Sequence, residues 1–407
     1  MHSLFSNIKK IISKWCILVP IAYLVPKKRN LVLFIGKNKG RFCDNVKYLY
    51  LHFHKLKESN IQYYFLTEHK CVYETLTQNK LPVVYHPTLL SIYVLLRANI
   101  LIVDSESWRL KSKYYLSFKS KKIQLWHGVS LKRMESAVPK TAKYINSFGG
   151  KLDAAVRGKF INHDLLISTS EFFTQKVFSK AFRTKCFLES GYPRNDVFFN
   201  HLDDEYVLIG SDKETISKVS KLREDGYKII LYAPTFRDTG GDPITDGALN
   251  PDSLSEFANK NKAVFVFKFH VRADTTYKLE AYDGIIKCDN SQDIQPLLKV
   301  SDILITDYSS VYMDYLLLDR PVIFFPYDYK KYIEKDRSLF FDYDWITPGP
   351  KCSSQDELEK TLIDYIIEQK DDFSAKRTEI RNLAFKYKDG NASERIWNFV
   401  KQKYLDR

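Results

Sequence analysis

Short apolar runs of strand length alternate with longer segments of helical period along most of this chain, and the alternation starts twice. In the first half Leu31–Ile35, Gln62–Leu66, Val83–Tyr85, Ile100–Val103, Ile123–Trp126, Leu165–Ser168 and Cys186–Leu188 read as strands. Helical patterns at Asn45–Lys57, Leu89–Arg97 and Glu171–Ala181 fall between them. A polar, charged passage from Asn200 to Gly226 separates the halves. Strands then resume at Lys228–Ala233, Val264–Phe269, Ile285–Lys287, Ile303–Thr306 and Val322–Phe325. Helical stretches at Ser253–Asn261, Gln292–Val300 and Ser310–Leu318 lie among them, and Gln355–Gln369 and Phe373–Tyr387 follow. The strands are nearly continuous in hydrophobicity, the pattern of a parallel sheet covered on both faces. Parallel neighbours need crossover connections, so the order predicts βαβ units in two successive doubly wound sheets. The expected fold class is α/β, with residues 30–200 and 201–407 as two Rossmann-like domains. In such sheets ligands sit at the carboxyl ends of the strands, here at a cleft between lobes.

A chain of 407 residues that is 44% hydrophobic can fill two cores, and 14% aromatic content excludes a disordered protein. Its six cysteines are scattered, with no Cys-x-x-Cys pair, which argues against a zinc site or a disulfide framework and fits a reducing cytoplasm. The net charge of +14 points to an anionic partner. Basic residues run along the whole chain without zinc-finger spacing or an RNA-binding aromatic signature, so no nucleic acid is expected. An anionic membrane surface fits better. Ile8 to Trp15 is basic and apolar at roughly helical spacing and leads into the uncharged run Trp15–Pro26, followed by Lys27-Lys28-Arg29. That run is too short to span a bilayer, which takes ~20 residues. Residues 1–29 therefore read as an interfacial segment, with a first helix packed on the protein body as the alternative.

The turn after Ile303–Ile305 carries the strongest chemical signal. Thr306-Asp307-Tyr308-Ser309-Ser310 lies between a strand and a helix start, where free backbone N–H groups, the helix dipole and two hydroxyls suit a phosphate. The plainer reading is a helix cap. In Trp126-His127-Gly128-Val129-Ser130-Leu131-Lys132-Arg133, Gly128 frees the backbone beside His127, an imidazole able to accept a proton near neutral pH. Lys132 and Arg133 bring positive charge close by. In Tyr232-Ala233-Pro234-Thr235-Phe236-Arg237, Pro234 ends a strand and leaves Thr235 and Arg237 at the cleft, where Arg237 could fork onto phosphate oxygens. Period two places Lys268 and His270 on one face of Val266–Arg272. Gly191-Tyr192-Pro193-Arg194-Asn195-Asp196 reads as a tight turn toward a hinge, and Gly36–Gly40 lacks the Gly-Lys-Ser/Thr of a P-loop. No Asp-x-Asp stands at a plausible strand end, so neither a metal nor a cofactor is expected.

Taken together, Trp126-His127-Gly128, Gly191–Asp196, Tyr232–Arg237, Thr306–Ser310, Arg320-Pro321-Val322, Tyr327-Asp328 and Pro348-Gly349-Pro350 resemble the CDP-glycerol glycerophosphotransferase family over roughly residues 30–390. These enzymes build teichoic acids and teichoic-like capsule polymers. The resemblance implies a GT-B architecture, two facing Rossmann-like domains with a cleft between them and the donor nucleotide in the C-terminal one. It implies transfer of a polyol phosphate from CDP-glycerol or CDP-ribitol to a hydroxyl of a lipid-linked or polymeric acceptor, with release of CMP, at the cytoplasmic face of the cell membrane. His127 would be the catalytic base and His270 a second essential histidine near the donor phosphates. Ser309 and Ser310 would bind the pyrophosphate, with Arg237, Thr235, Lys268 and Asp307 around the donor and Gly128, Lys132 and Arg133 on the acceptor side. The family often has Thr-Pro after the histidine motif's glycine; Val129-Ser130 stands here instead. Without a long N-terminal extension, the chain looks like the compact members. Two other readings stay open: a GT-B glycosyltransferase that uses a nucleotide sugar, and a non-catalytic membrane-associated assembly protein.

Overall fold

The computed structural model of the chain describes residues 14–200, 206–270, 278–335 and 338–406. Among the described residues fourteen strands run in chain order as β1 (Lys28–Ile35), β2 (Gln62–Thr67), β3 (Val83–Tyr85), β4 (Ala98–Val103), β5 (Lys121–Gln124), β6 (Asn162–His163), β7 (Leu165–Ser168), β8 (Arg183–Thr184), β9 (Phe187–Glu189), β10 (Lys228–Tyr232), β11 (Ala263–Phe267), β12 (Ile285–Lys287), β13 (Ile303–Thr306) and β14 (Val322–Phe324). Seven of them form a sheet in the order β3-β2-β1-β4-β5-β7-β9, and five form a second in the order β12-β11-β10-β13-β14. Every pairing in both sheets is parallel. Leu33 sits beside Tyr64 and Leu101, and Ile230 beside Phe265 and Ile303. Each sheet reverses its strand order once, between β1 and β4 and between β10 and β13. At such a reversal the two neighbouring crossovers lie on opposite faces and leave a crevice at the strands' carboxyl ends.

The strand interiors are buried because helices cover both faces, which explains their unbroken apolar runs. Leu31, Leu33, Val84, Leu101, Val103 and Trp108 anchor one core; Ile230, Phe265, Phe267, Ile303, Ile305 and Ile323 anchor the other. The chain divides into two compact units: Met1–His127 with Met134–Asp196 and Asp389–Arg407, and Gly128–Arg133 with Val197–Lys388. These limits differ from the expected domains 30–200 and 201–407. The last nineteen residues and a six-residue stretch after His127 exchange places, which apolar periodicity does not reveal. Within the first unit, helix Ala392–Val400 brings Trp397 edge-on to Phe53, ring centroids 4.4 Å apart. Asp196 accepts hydrogen bonds from Ala392 N (2.9 Å) and Ser393 N (2.8 Å), satisfying the start of that helix.

One sequence expectation changes here. The polar passage Asn200–Gly226 is more than a separator, for it contains helix Lys213–Glu224, whose first turn is capped by Asp212 accepting from Thr215 N. Of the basic-apolar segment 1–29, residues 1–13 lie outside the described residues. Residues 14–24 are helical, with Trp15, Leu18 and Val19 in the first core and Ile17, Tyr23 and Leu24 exposed. Among the described residues no helix is long and apolar enough to cross a membrane.

Candidate functional site

In the first unit the chemistry gathers where β1, β4 and β5 end. β5 stops at Gln124 rather than running to Trp126, because Trp126 adopts a left-handed backbone (φ 55°). Gln124 Oε1 receives Trp126 N at 3.0 Å, and Asn45 Nδ2 donates to Trp126 O at 2.8 Å. The buried indole packs on the His127 ring (centroids 4.1 Å, 32°) and stands edge-on to Phe182. His127 Nδ1 lies 2.7 Å from the Asp104 carbonyl oxygen. A carbonyl only accepts, so Nδ1 carries the proton and Nε2 of the neutral ring keeps its lone pair. Burial, then the charge of Lys37, lowers the His127 pKa to about 4. The ring is neutral at physiological pH and chemically a base.

Charged groups surround this turn. Arg194 Nη1 donates to His127 O at 2.9 Å and to Asp44 Oδ1 at 2.8 Å. Lys37 Nζ pairs with the other oxygen of Asp44. Burial opposes ionisation of Asp44, but Arg194 and Lys37 hold its carboxyl well below the usual range. Asp104 is driven the other way, its pKa raised by burial and by the Asp44 charge. Asp44, Asn45 and Asp104 were not singled out as site residues from the sequence, Lys37 lies in the Gly36–Gly40 loop that was set aside because it lacks the P-loop pattern, and Arg194 was read as hinge. The available signal was position: Lys37 and Asp104 each follow a strand at the order reversal, and Asp44-Asn45 opens the helix Asp44–Leu56 after β1.

The second unit brings together the loops that follow β10, β13 and β14. Asp307 Oδ1 accepts from Thr235 N (2.8 Å) and Tyr308 N (2.6 Å), and its Oδ2 receives Arg237 Nη1. Arg237 forks through Nε and Nη2 onto Asp328, 3.0 Å each, while Nη1 also reaches Thr235 O. Tyr308 stacks on Tyr332 (3.8 Å, 10°) and donates its hydroxyl to Asp328. Arg237 and Asp307 are both almost fully buried. Their polar atoms tie three loops together, with the guanidinium engaged by Asp307 and Asp328. Ser309 and Ser310 are half-buried where the helix Val311–Tyr315 begins, and Ser309 Oγ accepts weakly from Val311 N (3.4 Å).

The other candidates separate by environment. β11 ends at Phe267, so Lys268 and His270 do not share a strand face. Lys268 is buried and donates to Asp289 O at 2.7 Å; His270 is exposed, its ring 5.4 Å from Phe236. Gly128, Lys132 and Arg133, expected around the acceptor, cluster with the second unit. Lys132 forms an antiparallel bridge with Leu339, Arg133 N donates to Ser338 O, and Phe340 N donates to Leu131 O. This places Lys132 Nζ 3.3 Å from Thr235 Oγ1 and over the Tyr332 ring, beside the donor-side candidates. Among the described residues no group of three or more His, Cys, Asp or Glu side chains is arranged to hold a metal ion.

The chain is 26% identical over 403 residues to the teichoic acid glycerol-phosphate transferase of Staphylococcus aureus (strain NCTC 8325 / PS 47), covering 97% of this chain and 96% of that protein. It is 29% identical over 353 residues to the teichoic acid poly(glycerol phosphate) polymerase of Bacillus subtilis (strain 168), covering 83% of this chain and 44% of the polymerase, so it spans less than half of that relative's length. Its fold matches the solved structure of the wall teichoic acid polymerase TagF with a TM-score of 0.72 over 100% of both chains, at 23% identity. The family described as CDP-glycerol:poly(glycerophosphate) glycerophosphotransferase matches residues 17–402, and the chain belongs to that family.

Proposed function

We propose that this protein transfers glycerol phosphate, or another polyol phosphate, from a CDP-activated donor to a hydroxyl of a lipid-linked or polymeric acceptor in teichoic acid or capsule-type polymer synthesis. The observation that carries the reading is the state of His127. Its Nδ1–H is engaged by the Asp104 carbonyl and its Nε2 is a neutral acceptor. In the proposed step the acceptor oxygen attacks the β-phosphorus of the donor. A new O–P bond forms, the bond to the CMP oxygen breaks, and the acceptor proton passes to Nε2. CMP leaves with the bonding pair. In this reading Ser309 and Ser310 with their backbone N–H groups, Thr235, Lys132, Lys268 and His270 offset charge on the pyrophosphate. Arg237 and Asp307 act behind them by holding the loops. Support comes from the family, from the position of these residues at strand ends, and from the positive charge among them.

The GT-B arrangement of two facing units and a peripheral attachment to anionic membrane belong to the same proposal. Loss of liposome binding on removing residues 1–27 is expected; undiminished binding would sink the membrane part.

The direct test is CMP release by purified protein, with CDP-glycerol and CDP-ribitol offered separately beside lipid-linked and soluble acceptors. CMP from one donor, lost in His127→Ala, supports the reading and identifies the donor. No CMP from either donor, with a nucleoside diphosphate released from a nucleotide sugar instead, would replace it with glycosyl transfer.

A further inference from the structure

We propose that Asn45 and the Asp44–Arg194 pair form a positioning set that fixes the ring orientation and tautomer of His127. The inference rests on the reading of His127 as the base, and it goes further by naming what makes the base competent.

The backbone around His127 is one that sequence-local preferences oppose. Trp126, a bulky aromatic, sits at φ 55°, and Gly128 follows at φ 134°. A turn with two of three residues at positive φ persists only when its surroundings over-determine it. The surroundings do so peptide by peptide. Gln124 holds Trp126 N, Asn45 holds Trp126 O, and Arg194 holds His127 O. Asn45 is fully buried and both ends of its carboxamide are engaged, Nδ2 by Trp126 O and Oδ1 by Arg194 N at 3.2 Å. No other neutral side chain of this length offers a donor and an acceptor at those two points. Asp44 in turn orients the Arg194 guanidinium, and Lys37 orients Asp44.

The consequence for chemistry follows from the ring. The Asp104 carbonyl selects the tautomer with the proton on Nδ1, but only while the 126–127 peptide holds the imidazole 2.7 Å away. Releasing Trp126 O lets that peptide rotate and carries Nδ1 away from the carbonyl. The proton is then free to occupy Nε2, which becomes a donor where a base is needed. Asn45 touches neither ring nitrogen; it acts through the backbone.

The experiment is 15N NMR of histidine-labelled full-length protein, with the His127 signals identified by their loss in His127→Gln. Wild type should show a single tautomer, Nδ1 protonated and Nε2 bare, titrating well below pH 6. Asn45→Ala should show mixed tautomers and titrate closer to 6.5. In the CMP assay kcat should fall about 10- to 100-fold, the range for displacing a base. The KM for CDP-glycerol should stay within about threefold, and the acid limb of the pH profile should move up. Arg194→Lys, which keeps a donor for His127 O, should retain more of the single-tautomer signature than Arg194→Ala, and this pair decides the matter should Asn45→Ala fail to fold. An unchanged tautomer and titration in folded Asn45→Ala, or equal spectra for the two Arg194 variants, would overturn the proposal. The spectra stand without any assay, so a protein that releases no CMP tests the positioning set separately from the transferase reading.

Discussion

At the residue scale, environment decides which charged side chain can act on a ligand. A backbone carbonyl orients His127, and burial with Lys37 nearby keeps it unprotonated down to about pH 4. A base works only while deprotonated, so its activity is present above that pKa and lost as pH falls through it. The acid limb of kcat/KM should therefore lie near pH 4 to 5 and not near 6.5, measurable by CMP release across pH 4 to 8. His127→Ala should lose roughly 10²–10⁴-fold in kcat. Arg237 behaves differently, since its removal leaves Asp307 and Asp328 buried together without their cation. Breaking a buried pair in this way costs about 3–5 kcal/mol. Arg237→Ala should thus lower the urea midpoint of the second unit, and Arg237→Lys should not restore it, because an ammonium cannot make the fork onto Asp328. A variant with full stability and selective loss of donor affinity would return Arg237 to the role of phosphate ligand.

At the element scale, ends matter more than lengths. The strand at 165–168 was legible because its apolar run and its burial coincide, and the helix at 89–97 was legible from its apolar run alone, since Leu89, Leu90 and Tyr93 are exposed. Helix Lys213–Glu224 was not, since only Thr215, Ile216 and Val219 of its twelve residues are buried and its pattern is almost wholly polar. Its start is set by one side chain instead: Asp212 accepts from Thr215 N and Oγ1. Asp212→Ala should destabilise the second unit by about 1 kcal/mol, read from the urea midpoint, with no change larger than experimental scatter expected in the first unit. The candidate site divides along the same line. His127 and the Thr306–Ser310 turn stood out as candidates because each pairs a strand end with chemically able residues. The placement of Lys132 beside Thr235 was not legible, because it depends on a bridge to Leu339, more than 200 residues away in sequence, and local patterns carry no record of such a pairing. Asn45 was hidden for the same reason. An asparagine at a helix start reads as a cap, and only the fold shows its amide on the Trp126 carbonyl.

At the scale of the whole molecule, each unit is built from separated stretches of chain. Asp389–Arg407 completes the first unit: Ile396, Trp397 and Val400 are buried there, Trp397 Nε1 donates to Glu58, and Arg395 donates to Ser190 O. Loss of one buried large aromatic alone costs about 3–5 kcal/mol. A chain ending at Lys388 should therefore lose amide-exchange protection across β1, β2 and the helix Asp44–Leu56, while β10, β11 and β13 keep theirs. Equal protection in the full and shortened chains would show that the first unit is complete without its last helix. The same discontinuity bears on how the protein is made. At roughly 5–20 residues per second, translation from Asp196 to Asp389 takes on the order of ten to forty seconds. Throughout that interval the nascent first unit lacks the Trp397 indole against Phe53, and its final helix is unmade. The first unit thus waits on the last-made helix, and chaperones have their longest opportunity at the end of the chain that leaves the ribosome earliest.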